Sequence, residues 1–160
     1  MSSSTPVFDL KNVLAELIRD GLVARHDAES MYIGTRTRER AEAHPLQLVA
    51  EQKWQSAEPV PRPLTIEVLM EWLARKTGLS YYHIDPLKID APKVCAMVSH
   101  GFATRYKILP VDVNTREVVI ATANPYDREW EKQLEHATRL SIRRVVSNPQ
   151  DIVRYLGEFY

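Results

Sequence analysis

The sequence predicts an α+β fold, in which a small N-terminal helical unit precedes a compact domain of helices packed on a small three- to four-stranded sheet. Apolar residues recur every three or four positions around residues 10–18 and 65–77, which indicates amphipathic helices. From residue 107 onward, short apolar runs flank turn residues, which indicates strands. Three prolines in the segment 57–63 favour an extended, poorly hydrogen-bonded connection. We therefore expect a disordered tail at 1–7, a helical unit at 8–56, a proline-rich linker at 57–63 and an α/β domain at 64–160.

The helical unit is expected to contain three short helices. Asp9 can cap the first helix and Gly21 can end it, the second is expected over 25–35, and the third begins at Pro45. A helix of about a dozen residues is marginal alone and needs a surface against which to bury its apolar stripe. The stripe of the first helix consists of Leu10, Leu14, Leu17 and Ile18. We expect these residues either to bind a partner protein or to pack within the chain.

From Thr65 the expected order of elements is α-β-α-β-β-α-β-α. Thr65 can cap the first of these helices and Gly78 can end it. The later helices are expected to begin at Asp90, at Asp127 and at Asn148-Pro149, the last with Ile152, Val153, Leu156 and Phe159 facing inward. The strands are expected at Ser80 to Ile84, Lys107 to Val113, Glu117 to Ala123 and Ser141 to Val146, with the second and third forming a hairpin.

Composition argues against several classes of protein. Twenty-one basic and 21 acidic side chains cancel, so the chain has no basic excess of the kind that nucleic-acid-binding domains show. The single cysteine, Cys95, rules out a disulfide framework, and its apolar neighbours predict an inert buried thiol. No apolar stretch approaches the roughly 20 residues of a membrane span. We therefore expect no nucleic acid partner, no direct membrane insertion and a cytoplasmic location.

Catalytic motifs are missing from the sequence. The five glycines are too dispersed for a P-loop, because only closely spaced glycines let backbone amides surround a phosphate. The five histidines show no spacing typical of zinc ligands. We expect no catalytic residue, no metal site and no cofactor in this chain.

One local cluster of charge is a candidate anion site. Arg36, Arg38 and Arg40 alternate along the chain and could hold a phosphate, a carboxylate or a cyclic dinucleotide if the segment is extended. The alternative is a solvated loop in which nearby glutamates balance the arginines.

From residue 73 onward, five segments carry a family resemblance: Leu73 to Tyr82, Ile84-Asp85-Pro86-Leu87, Arg105 to Val111, Val119 to Asp127, and Val145 to Ile152. In order and spacing they resemble the N-terminal domain of type II secretion and type IV pilus assembly ATPases, the general secretion pathway protein E family with its MshEN-like domain. These segments end helices and strands and make turns, so they specify a fold and do not mark a site.

The helical start resembles the cyclic di-GMP-binding half of some members of that family. The segment Leu17 to Val23 fits the middle of the motif. However, Asn12-Val13-Leu14 stands where the motif has Arg-Leu-Gly, and Thr35 stands where it has glutamine. We therefore do not expect this motif to bind cyclic di-GMP.

The resemblance implies a non-catalytic docking and regulatory domain. It would bind the cytoplasmic domain of an inner-membrane assembly protein, lie at the bacterial inner membrane through that partner, and precede an ATPase core downstream. The alternatives are a cyclic di-GMP sensor that uses the arginine cluster, or the same domain attached to another bacterial envelope protein such as a glycosyltransferase.

Overall fold

The structure is a computed structural model that describes residues 8–32 and 43–160. The expected tail at 1–7, the end of the expected second helix and the three arginines Arg36, Arg38 and Arg40 lie outside these residues. The chain divides between Leu69 and Met70 into two compact units, called here the N-terminal and the C-terminal unit. The fold is mixed α+β, with a four-stranded sheet in the C-terminal unit, as the sequence predicts.

Within residues 8–32 and 43–65, the N-terminal unit has three short helices, α1 (Leu10–Arg19), α2 (Arg25–Tyr32) and α3 (Pro45–Glu51). Asp9 caps α1 as expected, because its carboxylate accepts a hydrogen bond from the Asn12 amide at 2.8 Å. Gly21 ends α1 with a φ of 78°, a left-handed conformation that glycine adopts without strain. The next helix, α4 (Ile66–Thr77), spans the division between the units and is capped by the Thr65 hydroxyl, as predicted.

The segment expected to be a linker is hydrogen-bonded into a loop. Gln55 pairs with Pro63 in an antiparallel bridge, and the Leu64 amide donates to the Trp54 carbonyl at 3.0 Å. In an extended chain the amide N–H groups of alternate residues point to the same side. The N–H groups of Arg62 and Leu64 therefore both point across the loop toward residues 54–56. The prolines face the other side, where no donor is needed. We call residues 54–64 the proline loop; the division between the two units falls after it, not within it.

The sheet of the C-terminal unit has the strand order β1-β4-β3-β2. Its strands are β1 (Ser80–Tyr81), β2 (Ile108–Val113), β3 (Glu117–Thr122) and β4 (Ser141–Val146). Strands β2 and β3 form the expected antiparallel hairpin, whereas β4 runs parallel to both β1 and β3. Strand β2 tolerates Pro110 because it lies at a sheet edge and its register shifts between Pro110 and Asp112.

The helices of this unit are α5 (Ala91–Cys95), α6 (His100–Tyr106), α7 (Glu129–Thr138) and α8 (Pro149–Phe159). The single helix expected after Asp90 is therefore two helices, because Ser99 caps a new one by accepting a bond from the Phe102 amide. Helices α5, α6 and α8 pack on β2, and α7 packs on β4.

Three smaller expectations are corrected. The first strand ends at Tyr81, well before Ile84, because its partner β4 ends at Val146. Strand β2 starts at Ile108, because Lys107 is left-handed with a φ of 52°. In α8, Val153 is 59% exposed, whereas Tyr155 is buried. Helical spacing places Tyr155 on the same face as Ile152 and Leu156 and turns Val153 about 100° away from Ile152.

Candidate functional site

The apolar stripe of α1 is mostly buried. The side chains of Leu14 and Leu17 are 0% exposed, and those of Leu10 and Ile18 are half-buried. A fully buried side chain stabilises the fold and offers no surface to a partner protein. Of the two alternatives for the stripe, the burial of Leu14 and Leu17 favours packing within the chain, and docking at these positions stays a prediction.

The same helix contains the positions at which the cyclic di-GMP motif is altered. Leu14 occupies the position of the motif's glycine, and its side chain is 0% exposed. Asn12 occupies the position of the motif's arginine, so the bidentate phosphate donor is missing. The motif's arginine and glycine are therefore both replaced in α1.

The proline loop has a closed neck. The Ser56 amide donates to the Arg62 carbonyl at 2.8 Å, and the Arg62 amide donates to the Ser56 hydroxyl at 3.1 Å. Ser56 is only 5% exposed, so this hydroxyl is a buried part of the neck. The Ala57 amide donates to the Leu22 carbonyl at 3.0 Å, which joins the loop to the residues that follow α1.

The tip of the proline loop is apolar and exposed. Val60 is 83% exposed, and the prolines on either side of it, Pro59 and Pro61, are also exposed. Glu58 and Arg62 flank this tip and pair with each other, with 2.8 Å between Arg62 Nε and Glu58 Oε1. The loop therefore presents a short uncharged surface between two charges that balance. Analysis of hydrophobic periodicity misses Val60, but its position between two prolines could have marked it.

Three other large apolar side chains are exposed in the C-terminal unit, and the least exposed of them is Tyr160 at 37%. Leu87 is 94% exposed within a short 3-10 turn, Pro86–Lys88, that Asp85 caps. Val153 is exposed on α8, as noted above. Single exposed apolar side chains are ordinary for a protein surface.

The segments that carry the family resemblance have structural roles. The Asn124 side chain accepts a bond from the Tyr126 amide, and the Trp130 indole donates to the Asp127 carbonyl at 3.1 Å. Arg144 Nη1 donates to the Pro125 carbonyl at 2.6 Å. These bonds fix the turn between β3 and α7, as expected of residues that specify a fold.

Arg144 also belongs to a charged cluster beside this turn. Its Nε lies 3.9 Å from a carboxylate oxygen of Glu131, which Arg128 also binds at 2.8 Å. Burial lowers the pKa of Arg144, and the neighbouring Arg128 lowers it further, while Glu131 acts in the opposite direction. An arginine stays protonated in proteins, so the cluster is two cations on one anion. Glu131 therefore pairs with both Arg128 and Arg144.

The end of α8 packs on the corner between α5 and α6. The Tyr160 hydroxyl donates to the Val98 carbonyl at 2.7 Å, and its ring stacks on His100 with centroids 4.8 Å apart. Burial raises the pKa of the nearby Cys95 thiol, although a hydrogen bond with Tyr160 acts in the opposite direction. A raised pKa keeps the thiol protonated at neutral pH, and the thiolate is the reactive form.

Residues 8–32 and 43–160 contain neither a cluster of metal ligands nor a helix that could span a membrane. No three side chains of the His, Cys, Asp or Glu type lie together as metal ligands in this part of the chain. No helix here has the length and apolarity needed to cross a membrane.

Two solved structures share the fold of this chain. The structure of the N-terminal domain of XpsE aligns with a TM-score of 0.57 at 14% identity, covering 100% of this chain and 99% of that one. The structure of MshE with cdg aligns with a TM-score of 0.62 at 17% identity, covering 94% of this chain and 98% of that one. At these identities the likeness establishes the fold alone.

The sequence then establishes the family. The chain belongs to the MshEN domain family, whose model matches residues 77–160. A type IV pilus assembly ATPase, TfpB of Acinetobacter baylyi (strain ATCC 33305 / BD413 / ADP1), is 36% identical over 153 residues that make up 95% of this chain. The chain spans 26% of the length of that relative. These matches confirm the resemblance to the N-terminal domains of secretion and pilus ATPases.

Proposed function

We propose that this chain is a non-catalytic docking and regulatory domain of a bacterial type IV pilus assembly or type II secretion ATPase. It binds the cytoplasmic domain of an inner-membrane assembly protein and so lies at the inner membrane through that partner. The observation that carries this proposal is the 36% identity to a pilus assembly ATPase over nearly the whole chain. Because the chain matches only about a quarter of that protein, the remainder has room for a motor domain.

The proposal places ATP hydrolysis outside these residues, because the sequence has no P-loop. A longer coding sequence with a P-loop downstream of Tyr160 would distinguish a motor protein from a glycosyltransferase or another envelope protein that carries the same domain. An ATPase assay on the purified 160-residue chain should give no turnover above buffer. Turnover that survives repurification and disappears in a point variant would contradict the proposal.

Docking can be tested directly with purified proteins. The 160-residue chain should bind the cytoplasmic domain of the inner-membrane assembly protein of the same pilus or secretion system, as measured by calorimetry. The matched control is the cytoplasmic domain of an unrelated inner-membrane protein. Absence of binding at about 100 μM would contradict docking, because even weak specific complexes form at that concentration.

Cyclic di-GMP sensing is a second candidate, favoured by the fold similarity to the structure of MshE with cdg. We expect a dissociation constant weaker than about 10 μM, because each missing charge-assisted bond costs roughly 1.5 to 3 kcal/mol. Calorimetry with cyclic di-GMP tests this. A sub-micromolar affinity that disappears when Arg36, Arg38 and Arg40 are replaced by alanine would instead favour the arginine cluster as the site.

A further inference from the structure

The proline loop has the construction of a recognition element. Three backbone hydrogen bonds and the bond to the Ser56 hydroxyl hold its neck, so the tip is ordered before any partner arrives. Proline fixes φ, and each residue that precedes a proline is biased toward extended or polyproline conformations. A tip ordered in advance loses little conformational entropy on binding, which favours affinity.

Building on the docking function proposed above, we propose that the proline loop is the docking element. Pro59, Val60 and Pro61 insert into a groove lined by aromatic side chains on the partner protein. Such grooves recognise proline-rich segments by packing against the proline rings and the side chain between them.

The chemistry of the tip argues against addition as a strand to a partner's sheet. Pro59, Pro61 and Pro63 have no amide hydrogen, and the Arg62 amide already donates to Ser56. Strand addition depends on a row of backbone donors, which this segment lacks. Side-chain packing is therefore the available mode of recognition.

The charges around the tip argue against a membrane surface as the partner. The loop carries one cation, Arg62, and Glu58 pairs with it. Segments that bind anionic bilayers combine apolar residues with an excess of lysine and arginine. The apolar tip without basic excess fits a groove on a protein.

The first experiment measures the affinity of the 160-residue chain for the partner's cytoplasmic domain. Val60→Asp should weaken binding by about tenfold or more, because a charge would enter an apolar groove, whereas Val60→Ile should bind like the unchanged chain. The matched control is Val153→Asp, an exposed valine on α8, which should leave the affinity unchanged. Thermal melts of all variants check folding.

The second experiment identifies the kind of groove. Methyl-labelled Val60 should show upfield ring-current shifts in nuclear magnetic resonance spectra when the partner binds, since aromatic rings shield nuclei above their faces. A bound state without such shifts would overturn the aromatic groove. Sedimentation with vesicles of phosphatidylethanolamine and phosphatidylglycerol is the control for membranes, and binding that depends on Val60 there would overturn the protein partner.

The outcomes separate the inference from the proposed function. If the unchanged chain fails to bind the cytoplasmic domain, both fail. If it binds and Val60→Asp binds within about twofold of it, docking stands and the proline loop is excluded as the docking element. A loss confined to a Leu87→Asp variant would move the interface to the C-terminal unit.

Discussion

Helix α1 and the proline loop are both apolar features of the N-terminal unit, yet their side chains are exposed to opposite degrees. Leu14 and Leu17 of α1 are 0% exposed, whereas Val60 at the tip of the loop is 83% exposed. The helix has the strong three- and four-residue periodicity that indicates an amphipathic surface. The loop lacks that helical periodicity.

The difference teaches that an apolar stripe predicts burial more directly than it predicts docking. A short helix is unstable without a surface to cover its stripe, so its own chain is the first candidate for that surface. A loop held by hydrogen bonds at its neck does not depend on burying the apolar residue at its tip. It can therefore present that residue to a partner without loss of stability.

The largest expected effect follows from shortening a buried residue of α1. Leu14→Ala should lower the free energy of unfolding by about 2 to 5 kcal/mol, because it removes buried methyl groups and leaves a cavity. Urea denaturation followed by circular dichroism measures this. The control is Lys11→Ala on the exposed side of the same helix, which should change stability by less than about 0.5 kcal/mol. Equal stability of the two variants would contradict the burial of the stripe.

An intermediate effect is expected at the neck of the proline loop. Ser56→Ala leaves the partly buried Arg62 amide without its acceptor, which should cost about 1 to 2 kcal/mol. Ser56→Thr keeps the hydroxyl and serves as the control. Hydrogen exchange should show faster exchange of the Arg62 amide in the alanine variant. Unchanged exchange would mean that the hydroxyl does not hold the neck.

The smallest effect on stability is expected at the tip. Val60→Asp should change the free energy of unfolding by less than about 0.5 kcal/mol, because the side chain is 83% exposed. This variant separates stability from docking, since only docking should be lost. A loss of stability comparable to that of Leu14→Ala would show that Val60 packs within the chain.

Local signals in the sequence predict most of the fold. Asp9, Thr65 and Asn148 cap helices as expected, and the hairpin of β2 and β3 follows from two apolar runs around Asn114. Contacts with segments distant in sequence determine the features that local signals do not predict. Strand β1 is short because β4 ends, and the prolines of the proline loop are accommodated because the neighbouring amides find acceptors across the neck.

The candidate site was less predictable for the same physical reason. Periodicity identifies which face of a helix is apolar but not what covers it, so Leu14 and Leu17 could be assigned to a partner or to the core. Val60 gives no periodic signal, and only the closed neck shows that it is held in place. The exposure of a side chain depends on what packs against it in the folded chain, so the pattern of residues alone does not predict it.

Photo-crosslinking in cells tests the central claim most directly. A benzoylphenylalanine placed at position 60 of the full-length protein, with a second placement at position 153 as the control, reports which surface meets the inner-membrane assembly protein. The account predicts a crosslink to that protein from position 60 and none from position 153. A crosslink from position 153 together with none from position 60 would contradict it.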